Sequence, residues 1–203
     1  MKAINLFIFA VIIFYSNLSF SQSERGKKTN YEVGITYAAL GNADIVHSGI
    51  DGAPSYESER VQIIGLNAVS TINPWLEFET GLEYGKYKFR VESYRGPGMP
   101  VNISSANAEL LTIPVTVRAV FLKYFFINAG GLCGIHISNQ KEPSNQSGLG
   151  LMAGLGARYA FKNGLSLMIN PYMRIHNLIH FGEGRNGAYL LENGVRFGAG
   201  YRL

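Results

Sequence analysis

Apolar and polar side chains alternate one by one over long stretches of this chain. Tyr31, Val33, Ile35 and Tyr37 fall on one side, against Glu32, Gly34 and Thr36 on the other. Leu76, Phe78, Thr80, Leu82 and Tyr84 oppose Glu77, Glu79, Gly81, Glu83 and Gly85. Leu111, Ile113, Val115 and Val117 oppose Thr112, Pro114, Thr116 and Arg118. The pattern returns at 149–159, 165–176 and 194–203, and more loosely at 61–70 and 124–137. A period of two is that of a strand, because a helix repeats every 3.6 residues. It predicts eight strands near 31–40, 61–71, 75–91, 108–121, 124–137, 148–161, 165–177 and 189–203. Short turns are expected at Ile72-Asn73-Pro74, Leu122-Lys123 and Lys162-Asn163-Gly164. Long polar connections are expected at 41–60, 92–107, 138–147 and 178–188. The predicted class is all-β, an eight-stranded antiparallel up-and-down barrel with tight turns at one rim and long loops at the other.

The polarity of the two faces decides what surrounds such a barrel. A barrel in water is apolar inside and polar outside. Here one face is almost uncharged, while the other collects glycines together with Glu32, Glu77, Glu79, Glu83, Arg118, Arg158, Arg174 and Arg196. Four acids and four bases can neutralise one another if they are enclosed, with Arg174 expected to meet Glu79 or Glu83. The uncharged face must then meet lipid, which a closed barrel tolerates because every backbone group is paired within the sheet. Eight strands leave an interior only wide enough for side chains. Tyr31, Tyr37, Tyr84, Tyr159 and Tyr201 lie on the apolar face as candidate interface girdles. A soluble ligand carrier would need the faces exchanged, and helical membrane crossing is disfavoured because the most apolar stretch, 110–137, carries Arg118, Lys123 and His136.

Composition supports this picture. The 203 residues are 47% hydrophobic and 16% charged, which excludes a disordered chain, and 24 glycines without a three-residue period exclude collagen. A single cysteine, Cys133, excludes a disulfide framework and places a small apolar residue on the lipid side. The formal net charge of +4 comes from scattered bases, so no nucleic-acid surface is expected. At the N-terminus, Lys2 precedes an uncharged run, Leu6 to Tyr15, and Ser19-Phe20-Ser21 follows with small residues at both peptidase-read positions. This is the secretory pattern. It predicts a signal peptide at 1–21, a polar lead at 22–30 and the barrel at 31–203.

The signal ending before Gln22, the Leu111-Thr112-Ile113-Pro114 strand, Gly130-Gly131 and the terminal Gly198-Ala199-Gly200-Tyr201-Arg202-Leu203 resemble the porin-family outer-membrane β-barrel domain common in Bacteroidota. The resemblance spans the mature chain. It implies the outer membrane of a Gram-negative bacterium, contact with membrane lipid and lipopolysaccharide, and delivery by the barrel-assembly machinery. Phe197, Tyr201 and Leu203 are similar to the C-terminal assembly signal, with Leu203 standing where Phe is usual. No catalytic residue comes with this resemblance.

One segment points to chemistry. His136-Ile137-Ser138-Asn139 is similar to the His-x-Ser-Asn segment of lipid A deacylases, small barrels in which a His activates a Ser nucleophile. The third member is missing: positions 147–150 read Ser-Gly-Leu-Gly, and Glu142 is the nearest acid. Arg174-Ile175-His176-Asn177, in the last predicted hairpin, lacks the Ser. His176 and His180 share no helical face, so no metal site is expected, and no cofactor. Gly150-x-x-x-Gly154 lies in a strand pattern, and Asn102-Ile103-Ser104 fits a glycosylation acceptor only outside a bacterial outer membrane. Ile45, Val46, Ile50, Tyr56, Tyr94 and Met99 are apolar residues in the polar connections, a candidate binding surface. The favoured reading is a monomeric, non-enzymatic barrel with a packed, salt-bridged lumen and a structural or surface-binding role through its loops. A small channel and a deacylase-like hydrolase are the alternatives.

Overall fold

The computed structural model describes residues 31–47, 55–93, 102–138, 146–181 and 188–203. The expected signal peptide and polar lead lie outside these. Eight strands form one closed sheet: β1 (Tyr31–His47), β2 (Ser55–Asn73), β3 (Leu76–Ser93), β4 (Asn102–Phe121), β5 (Phe125–His136), β6 (Gly148–Ala160), β7 (Leu165–His180) and β8 (Ala188–Arg202). Each pairs antiparallel with its sequence neighbour, and β8 returns to β1. The amide of Leu203 donates to the Tyr31 carbonyl at 2.8 Å, continuing that seam to the end of the chain.

The tight turns obey local chemistry. Asn73 Oδ1 accepts from the Trp75 amide at 3.1 Å, and Asn163 Oδ1 accepts from the Leu165 amide at 3.2 Å. Gly164 takes a φ of 89°, which a side chain would strain. The β4–β5 turn is less well provided: Leu122 and Lys123 both have positive φ, 47° and 68°, with no glycine or asparagine to relieve them.

The lower, turn-side half follows the expected parity. Ile35, Leu66, Leu151 and Met173 point outward, at 61%, 62%, 57% and 55% accessible. Trp75, Tyr124, Tyr159, Phe161 and Tyr201 ring the turn end; Tyr159 stacks on Tyr124 and meets Phe161 edge-on. Gly156 lies so close to the Phe126 ring that a Cβ there would sit 2.3 Å from it, so glycine is what lets Phe126 fill the lumen.

The upper half departs from expectation. Much of 41–60 and 92–107, expected as loop, is strand: β1 runs to His47, β2 begins at Ser55 and β4 at Asn102. Polarity inverts toward the loop rim; parity runs on through the inversion on β3, whereas bulges at Ala39/Asn42 and Ser58/Arg60 shift it on β1 and β2. On β3 the outward series Leu82, Tyr84 becomes Lys86, Lys88, Arg90, and the inward series Glu83, Gly85 becomes Tyr87, Phe89, Val91. Val61, Ile63, Ala106, Ala108, Leu110 and Leu190 join these buried residues in one apolar cluster. Above the inversion the barrel is built like a water-soluble one. Trp75 and Tyr84 bound the apolar band on β3. That is about 30 Å of strand at roughly 3.3 Å per residue; tilted by about 40°, it gives a band close to the usual ~25 Å. Ile45, expected on a loop surface, belongs to β1 and is buried inside. Val46 and Tyr56 also lie in strands, whereas Ile50, Tyr94 and Met99 fall outside the described residues.

Candidate functional site

The charges on the inner face form one chain along the lumen. Nearest the turns, Arg158 forks onto Glu77 at 2.9 and 2.5 Å and lies 3.9 Å from Glu32, which accepts from the Ser166 hydroxyl at 2.6 Å. Arg118 is 4.0 Å from Glu77 and forks onto Glu79, with contacts of 2.6 and 2.8 Å. Arg196 bridges Glu79 at 3.2 Å and Glu83 at 3.4 Å while donating to Asn170 Oδ1 at 3.0 Å. Arg174 holds Glu83 at 2.6 and 3.1 Å. All eight residues expected in the network therefore occupy the lumen, on six of the eight strands.

The chain has a further member that the alternation should have disclosed. Glu192 lies on β8 two steps from Gly194 and shares the inward parity of Arg196, yet sits where neighbouring inward positions turn apolar. It is fully buried and accepts from the Tyr87 and Tyr172 hydroxyls at 2.7 and 2.6 Å. His176 Nε2 shares a 3.0 Å hydrogen bond with the same carboxylate, and Arg174 is 3.9 Å away. Glu192 thus joins the ionic part of the lumen to the apolar cluster above it. Arg118, Arg174 and Arg196 are 0–1% accessible. Two of them also stack on aromatic rings, Arg118 on Phe126 at 4.8 Å and Arg174 on Tyr172 at 4.5 Å. At mid-lumen these three guanidiniums are enclosed by neighbouring side chains.

The His136 region has another geometry. His136 ends β5, and its backbone amide donates to Ser147 Oγ at 2.9 Å. Its Nδ1 accepts from the Gln146 amide at 3.2 Å. A neutral imidazole that accepts at Nδ1 carries its proton at Nε2. A Ser-His-acid site needs the reverse, Nδ1–H held by a carboxylate and Nε2 free to take the serine proton. Ser138 lies outside the ladder and lines a surface depression together with Arg60, Lys86, Lys88 and Glu109. Asn139 and Glu142 fall outside the described residues.

The outer face carries the remaining features. Phe197, Tyr201 and Leu203 point outward on the closing seam, and Cys133 lies on the same face, opposite Ile113 and Leu149. Above the apolar band, β2–β4 present Glu57, Glu59, Arg60 and Gln62, then Lys86, Lys88 and Arg90, then Asn107 and Glu109. Lys88 is 2.6 Å from Glu59 and, by its hydrogen bond, lowers that carboxyl's pKa below the ordinary value.

No protein-family model matches the chain, and no curated protein matches it in sequence. Solved structures do. The outer membrane protein OprG of Pseudomonas aeruginosa superposes with a TM-score of 0.52 at 11% identity, covering 87% of this chain and 97% of OprG. Neisserial surface protein A gives a TM-score of 0.49 at 16% identity, covering 85% of this chain and 97% of that protein. The attachment invasion locus protein Ail of Yersinia pestis gives 0.42 at 14%, covering 87% and 100%. At 11% identity the likeness to OprG is one of fold: with its apolar belt and closed antiparallel sheet, the chain has the eight-stranded transmembrane barrel architecture.

Proposed function

We propose that this is a small outer-membrane barrel of a Gram-negative bacterium, exported with a cleaved signal peptide, that acts through its long-loop end and neither conducts ions nor performs hydrolysis. The observation that carries this reading is the buried chain from Glu77 through Arg118, Glu79, Arg196, Glu83 and Arg174 to Glu192, capped by the apolar cluster of Phe89, Leu110 and Leu190. A water path would have to cross both layers. Planar-bilayer recording of the refolded protein tests it: no steady conductance is expected, and open-channel current would overturn the plug. The plugged lumen favours a structural or surface-binding role for a monomer, with membrane lipid and lipopolysaccharide around it and the barrel-assembly machinery as its route of insertion. The hydrolase reading is tested by mass spectrometry of lipid A incubated with the refolded protein. No fatty acid release is expected, because Nδ1 of His136 is occupied by a donor. A deacylated product that disappears on Ser138→Ala would refute this.

A further inference from the structure

Residues facing outward on β2, β3 and β4 line up in rows across the sheet. One row is Ile64, Tyr84 and Leu111; the next toward the loop rim is Gln62, Lys86 and Glu109; the next is Arg60, Lys88 and Asn107. Polarity therefore changes within one step of the pleat. Below the change lies an apolar groove of about 640 Å³ that extends from Phe197 on β8 and Ile35 on β1 to Leu66, Leu82, Tyr84 and Leu111 on β2–β4. Directly above its β2–β4 part lies a polar depression of about 340 Å³, lined by Arg60, Lys86, Lys88 and Glu109, with Glu59 paired to Lys88 at its edge. The Lys86 ammonium sits 5.6 Å over the Tyr84 ring, at the seam between the two.

We propose that this wall holds one phosphate-bearing lipid of the outer leaflet, its acyl chain in the groove and its phosphate between Arg60, Lys86 and Lys88. The inference rests on the membrane orientation proposed above, with the long-loop end outward. Charge complementarity chooses the occupant. A bilayer at this height presents acyl chains below and headgroups above, and Arg60, Lys86 and Lys88 against Glu59 and Glu109 leave a net positive charge that favours an anionic headgroup over a zwitterionic one. A free anion would have no use for the groove, and a peptide would have no reason to follow the boundary. The existing pairs do not block the site. Lys86–Glu109, at 3.8 Å, and Lys88–Glu59 are both exposed, and such pairs rearrange at little cost.

The test is native mass spectrometry of the refolded full barrel in detergent, titrated with bisphosphorylated lipid A, with dephosphorylated lipid A and with phosphatidylethanolamine. One bisphosphorylated lipid should be retained in preference to the other two, and millimolar inorganic phosphate should not displace it. Replacing Arg60, Lys86 and Lys88 together by Gln should weaken retention about a hundredfold, from about fivefold per base near an anionic headgroup. Leu82→Trp, which fills the groove without altering charge, should also weaken it. Equal retention of dephosphorylated and phosphorylated lipid A by the wild type would overturn the proposal without need of any variant. Displacement by inorganic phosphate would do the same, by making the site one for free anions. Heat-modifiable gel mobility separates the two levels of inference. A chain that never forms a membrane-inserted barrel refutes the proposed function, whereas an inserted barrel without lipid preference refutes this site alone.

Discussion

Arg174→Met tests whether the lumen is a packed plug. Arg174 is 1% accessible and holds Glu83 through two contacts, 2.6 and 3.1 Å, while standing 3.9 Å from Glu192 and stacking on Tyr172. Met fills similar space but leaves Glu83 with Arg196 alone, at 3.4 Å, and removes the nearest guanidinium from Glu192. Breaking a buried pair by deleting one partner costs about 3–5 kcal/mol, since the other charge stays desolvated. An exposed pair such as Lys86–Glu109 is worth only about 0–1 kcal/mol. Urea unfolding in lipid vesicles, followed through the single tryptophan, Trp75, reads the difference. Adding Glu83→Met to Arg174→Met should recover about half the loss, because no lone charge then remains at that position and Arg196 keeps Glu79 and Asn170. A loss below about 1 kcal/mol for the single variant would mean that water screens these charges. The plug reading would then fail.

Three further outcomes are expected. Val115→Arg or Leu167→Arg, each on the lipid face at 46% and 48% accessible, should impair vesicle insertion by about 2–4 kcal/mol, and normal folding of both would show that the faces are misassigned. In a Cys133→Ser background in nanodiscs, Lys88→Cys and Asn107→Cys should react quickly with a membrane-impermeant maleimide while Leu82→Cys stays protected; equal reactivity would remove the boundary drawn between Tyr84 and Lys86. Replacing Leu122-Lys123 by Asn-Gly should raise stability by about 1 kcal/mol in the same urea assay, since two side chains at positive φ are relieved.

Alternation alone determined the strand count, the tight turns and the face on which each charge lies. This works because a barrel in lipid has one strict rule per face, and side-chain direction has a period of two whatever the partner strand. Strand length was not legible in the same way. Toward the loop rim the chemical rule inverts, so the polar outward positions at 41–47, 55–60 and 102–107 read as loop, although all three segments are strand. Glu192 fell in the same blind spot: inward parity marked it, but its neighbours on the inner face had become apolar. Which acid meets which base was decided only by closure. Arg158 finds Glu77 from 81 positions away, and Arg196 finds Glu79 from 117. The stagger and tilt of a closed sheet set those heights, and they depend on all eight pairings at once. The tautomer of His136 was likewise tertiary, because it follows from the Gln146 amide, ten positions on, and no spacing in the sequence encodes that contact.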